Sequence, residues 1–189
     1  SASVYGGAAY IMGNSSSDIA ELQLVADGGN VNFQGNNDSL GSNDIYIDSN
    51  SLLDIYSKKG TVVFGSGLRS HSSGSNMTVN KTGGDEVHFY GTSDLTGTQF
   101  NILQGRAYVK ENAVFTGGDV TVNSGTLLYL DKDSASDFAG TLLVKEGATL
   151  QTENIGSFDA SDLDIRGTLR VGVDVEAGTG DLLKADNIN

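Results

Sequence analysis

Four segments decide the fold: NILQG at 101–105, VTVNSG at 120–125, LLVKEG at 142–147 and LDIRG at 163–167. Each is a short apolar run closed by a turn glycine, and Gly105, Gly125, Gly147 and Gly167 follow one another at intervals of 20, 22 and 20 residues. A second apolar run comes after every turn: RAYVKEN from 106, TLLYLDK from 126, ATLQTEN from 148 and TLRVGVD from 168. Alternation with a period of two signals strands, because successive side chains on a strand point to opposite faces. A repeat near 20 holding two or three strands of about 4 to 6 residues has the length of one coil of a parallel β-helix. Coils stacked about 4.8 Å apart bring equivalent side chains into columns. The expected inward column is Leu103, Val122, Val144 and Ile165.

Working outward, the same feature continues upstream as MTVNKTGG from 77, IYIDSN from 45 and LQLVADGG from 22. The chain therefore reads as a single all-β domain over 1–189, a right-handed parallel β-helix of about seven coils of roughly 20 residues. Gly, Asn, Asp and Ser punctuate the runs as tight turns require, and no stretch carries a helical period. Leucine-rich repeats have a similar period but a Leu and Asn signature that is missing here. The interval from Ile45 to Met77 is 32 residues, and its surplus falls in 65–76, which reads as a loop inserted between coils. Loops on a rigid scaffold are where contacts concentrate. Within this one, Arg69 and His71 are the cationic and titratable groups and the expected binding residues.

Composition narrows the function classes. Eleven basic against twenty-four acidic residues give a net charge of -13, with no basic cluster longer than Lys58-Lys59, which argues against nucleic acid as a partner. Cysteine is absent, so neither disulfides nor thiolate metal sites contribute. No apolar stretch approaches the roughly 20 residues of a membrane-spanning helix, no signal peptide opens the chain, and the sequence reads as a piece of something longer.

Chemistry-bearing motifs are few. His71 and His88 are the only histidines, too few for a zinc site without Cys, and His88 in EVHFY reads as an outward strand residue. Nucleophile elbows and phosphate loops are missing. Asp131, Asp133 and Asp137 have part of a calcium-loop spacing, but Ala135 and Ser136 stand where a ligand and the turn Gly belong. Asp159, Asp162 and Asp164 fall where turn chemistry alone calls for Asp. No catalytic residue, metal or cofactor is expected.

Several segments taken in order resemble the passenger domains of bacterial autotransporters: YGGAAYIMGN from 5, VNFQGNNDSLGSNDIYIDSNSLLDIYSKKGTVVFGSGL from 31, MTVNKTGGDEVHFYG from 77 and VTVNSGTLLYL from 120. The likeness runs from Tyr5 to Ile188, with Gly84-Asp85-Glu86 departing from the usual small and apolar continuation of the Lys-Thr-Gly turn. It implies type V secretion through an outer-membrane translocator, an extracellular or cell-surface location, and service as an adhesin or rigid stalk. The alternative is the scaffold part of a secreted toxin or of a carbohydrate-processing β-helix enzyme. Implied partners are a protein or glycan of a host or neighbouring cell, or further copies of the chain associating end to end or side by side.

Overall fold

A computed structural model describes residues 7–38, 41–176 and 178–189. Among them all regular structure is strand, and the pairing is parallel except for two short hairpins, Asn37–Asp38 with Gly41–Ser42 and Val173–Asp174 with Thr179–Gly180, and an isolated bridge between Ser15 and Asp18. The chain winds as a parallel β-solenoid with three faces. The third face is simplest: Val31–Phe33, Val62–Phe64, Glu86–Phe89, Arg106–Val109, Leu127–Leu130, Thr149–Thr152 and Thr168–Arg170 form one seven-stranded sheet. Successive strands of this sheet are joined by complete windings, so the solenoid has about six turns against the seven coils expected from counting strands.

The first two faces share an eleven-stranded sheet. Early in the chain they are built from separate strands: Ala9–Ile11, Ile45–Ile47 and Leu68–Ser70 on the first face, Ala20–Asp27, Ser51–Lys59 and Met77–Thr82 on the second. Later a single strand serves both, as in Thr92–Ile102, Val114–Val122, Ala135–Val144 and Ser157–Ile165. This arrangement explains the long interval before Met77. Ile45 pairs with Leu68, whereas Met77 pairs with Ser51, so the two ends of that interval lie on different faces. The stretch 65–76 therefore holds a strand of the solenoid, Leu68–Ser70 with Leu68 fully buried, and 65–67 and 71–76 run outside it.

Register also corrects the inward column. Val122, Val144 and Ile165 stack as expected, but their neighbour in the preceding rung is Ile102, while Leu103 is 41% exposed. A shift of one residue along a strand moves a side chain to the other face, and Leu103 lies just beyond the end of its strand.

Going back one more rung, the same column holds Lys81, between Ile55 and Ile102. This lysine is fully buried, and its ammonium donates to the carbonyls of Thr82, Gly83 and Gln104 at 2.6, 2.8 and 3.1 Å. Burial pulls its pKa down to about 8, against the opposing pull of Asp85 and Asp54. The Lys-Thr-Gly turn is thus held from inside: Gly83 takes φ +75°, and a Cβ there would lie 2.2 Å from the Ser57 carbonyl oxygen.

Aromatic residues fill the wider part of the core by alternation. In three successive rungs the inward pairs on the first face are Phe115 with Gly117, Ser136 with Phe138, and Phe158 with Ala160. Each large ring thereby faces a small residue in the next rung, which is how layers interdigitate at native density. A further stack, Phe33, Phe64 and Phe89, lines the third face with centroids 5.4 and 5.7 Å apart.

Candidate functional site

The outer corner between the first and second faces is the main concavity. Where one strand serves both faces, its pairing slips between Leu95 and Gln99, between Gly117 and Val120, and between Phe138 and Thr141. Such irregularities bend a strand sharply. Small residues sit in the bends: a Cβ on Gly118 would lie 2.7 Å from the Thr98 carbonyl oxygen, and one on Gly140 2.4 Å from Asp119 Oδ1. Earlier rungs turn the same corner between separate strands, at 12–19, 48–50 and 71–76. Together these make an open groove of about 890 Å³ that crosses the rungs from Ile19 to Gly140.

Its floor is a column in strict register, Leu52, Thr78, Gln99 and Asp119. Asp119 is the only charged side chain among the lining residues, and its Oδ1 accepts from the Thr141 amide at 2.9 Å. Thr98, also in the lining, has a buried Oγ1 with no hydrogen-bond partner.

A second functional candidate is the outer surface of the third face, where His88, Tyr108 and Tyr129 occupy one column. Ring centroids are 5.0 Å apart for His88 and Tyr108 and 5.3 Å for Tyr108 and Tyr129. The polar groups here satisfy one another. His88 Nε2 lies 2.8 Å from Glu86, Lys110 stands 5.4 Å over the Tyr108 ring and 2.7 Å from Asp131, and the Tyr129 hydroxyl donates to Glu153. Burial works against ionisation of both Lys110 and Asp131, yet their mutual hydrogen bond and charge raise the lysine and lower the aspartate. Burial and Glu153 raise the Tyr129 hydroxyl. With one ring pair edge-on, the next tilted, and its charges paired, this ladder is a stabilising cross-strand device.

The residues picked out in the sequence are dispersed. Arg69 stands on the outer side of Leu68–Ser70, between Tyr46 and Asp94 in register, with Nη2 3.8 Å from where a Gly41 Cβ would sit. His71 begins the 71–76 corner, and its Nδ1 lies 3.2 Å from both the amide and the hydroxyl of Ser73. Nearby, Asp48 accepts from Tyr10 at 2.8 Å; burial opposes its ionisation, but the Ser49 amide, Tyr10 and the charge of His71 hold the carboxyl below its ordinary value. Neither Arg69 nor His71 is among the residues lining the groove, which the 71–76 corner enters only through Asn76. Asp131 is engaged by Lys110, Asp133 holds a left-handed turn at φ 55°, and Asp137 lies on the first face, so the three do not converge. Among the described residues no group of three or more His, Asp or Glu side chains could hold a metal ion. Asp159 and Asp162 pair with different residues of Lys184–Ile188, and Asp164 is bound to Arg166.

The groove column was not picked out in the sequence. Its trace was Gly97, Gly118 and Gly140, which recur at 21 and 22 residues, in step with the turn glycines but offset from them. Among the described residues no helix is long and apolar enough to cross a membrane. Compared with known proteins, the chain matches no protein family, no curated protein and no solved structure.

Proposed function

We propose that the chain is a surface-exposed or secreted passenger segment of autotransporter type, acting as an adhesin or as a rigid stalk that carries one. The observation behind this reading is that a parallel ladder continues from rung to rung along the solenoid while its interior is spent on packing. In such a solenoid the inter-strand hydrogen bonds run along the long axis, so the molecule resists bending and each added rung adds reach and outer surface. The outer surface is polar and acidic, which suits wet contacts repeated along a length. A chain without cysteine also crosses an oxidising compartment unfolded with no disulfide to lock it.

The test is to place the chain ahead of an outer-membrane β-barrel translocator and follow it with surface-added protease and antibody. A passenger reaches the cell surface, folds there into a protease-resistant form, and either attaches cells to one another or to a host surface, or projects a fused binding tip outward. Retention inside the envelope, or degradation at the surface, refutes the proposal.

A further inference from the structure

We propose that the corner groove binds a neutral, unbranched polysaccharide laid along the solenoid axis, with Thr78 and Gln99 as its main polar contacts. This rests on the adhesin reading and names the chemistry that such an adhesin would grip.

The shape of the groove selects a linear polymer. It runs across successive rungs, and rungs are about 4.8 Å apart, comparable to the length of one hexose in an extended glycan. Thr78 and Gln99 thus repeat along the groove at close to the pitch of the sugar chain. A ligand in register with one rung stays in register with the next.

Lining chemistry selects sugar over peptide. Thr78, Gln99, Thr96 and Asn76 present hydroxyls and amides, which donate and accept as sugar hydroxyls do. Ile19, at 53% exposure, and Leu52 offer apolar surface to the C–H faces of pyranose rings. An extended peptide gains affinity by adding a strand to a free sheet edge. Here the groove lies over the interior of a sheet whose backbone groups already bond to neighbouring rungs, so it has no edge to offer.

Charge selects neutral over acidic sugar. Asp119 is the single charge in the lining, with no Lys, Arg or His to match a uronate or sulfate, and the chain's net charge of -13 repels polyanions further.

The experiment titrates the purified chain with laminarin, mannan, dextran and cello-oligosaccharides, and with heparin and polygalacturonate as acidic counterparts, by calorimetry. At least one neutral polymer should bind saturably and both acidic ones should not. The Thr78→Ala/Gln99→Ala double variant should weaken binding roughly tenfold or more, as the loss of two neutral hydrogen bonds predicts. Tyr129→Ala, on the opposite ladder, should leave affinity unchanged. Should the double variant lose its thermal transition, Leu52→Ala serves in its place, with the same direction expected. Binding of no neutral polymer, preference for an acidic one, or full affinity in a folded groove variant would overturn the proposal. Cell attachment by the displayed chain that excess neutral polymer fails to compete would overturn it too, while leaving the adhesin reading intact.

Discussion

Raising the pH from 7 to 9.5 should make this protein more stable, an unusual direction that follows from one buried lysine. Unfolded, Lys81 holds its proton up to its ordinary value of 10.5; folded, with its ammonium taken out of water, it does so only to about 8. Between those values the unfolded state binds more protons, so stability rises with pH. The burial penalty is fully present below pH 8 and fades as pH approaches 10.5. The difference corresponds to about 3 kcal/mol over the whole window, of which about 2 kcal/mol is recovered between pH 7 and 9.5. Tyr129, whose hydroxyl is raised, titrates above this range and leaves it clear. The assay is urea unfolding followed by far-UV circular dichroism at half-unit pH steps, on the wild type and on Lys81→Met. Substitution removes a buried charge but also strips three carbonyls of their donor, two effects of opposite sign and similar size, about 1–3 kcal/mol each. Absolute stability at one pH is therefore a poor reporter, and the slope is the readout. A rise of about 2 kcal/mol in the wild type that is missing from Lys81→Met supports the reasoning. A flat wild-type profile, or one that Lys81→Met shares, refutes it.

Three further outcomes test the packing and the corner. Gly117→Ala should destabilise by about 1–3 kcal/mol through overpacking, because the new Cβ would meet Val120, Phe138 and Phe115 side chains at 3.0, 3.1 and 3.3 Å; an unchanged urea midpoint would show that the alternation of rings and small residues is not tight. Replacing 71–76 by the three-residue corner 48–50 of the preceding rung should cost at most about 1 kcal/mol, since shortening a loop changes little when its ends stay paired. Deleting all of 65–76 should abolish the cooperative transition, because it removes the paired strand Leu68–Ser70.

Legibility followed regularity. From Thr92 onward the register steps are nearly constant and turn glycines mark each one, so strands, parallel pairing and the column through Val122, Val144 and Ile165 could be read directly. Where one rung holds two separate apolar runs, as Ile45–Ile47 and Ser51–Lys59 or Leu68–Ser70 and Met77–Thr82, period alone could not tell a first-face strand from a second-face one. The error at Leu103 is of the same kind: both Ile102 and Leu103 are aliphatic, and only the pairing with Val122 says which points inward. Lys81 was read as part of a turn because a charged residue is almost never fully buried without partners. Its partners are backbone carbonyls, which have no letter in the sequence.

The groove was hidden for a related reason. Sequence reasoning looks for chemistry in residues that stand out, and so settled on Arg69 and His71, the conspicuous groups of an apparent insertion. A solenoid builds differently, because residues about 20 apart become neighbours and an undistinguished Thr and Gln become significant by stacking. Thr78 and Gln99 acquire a common direction only through the register that joins Met77–Thr82 to Thr92–Ile102. The concavity around them exists because the strand bends at Gly97, Gly118 and Gly140, where side chains would collide with the backbone or with Asp119 in two of the three cases. In a repeat of this kind the column, rather than the single residue, is the unit in which a binding surface is written. A search for function along such a chain therefore has to compare positions one rung apart before it weighs any residue by itself.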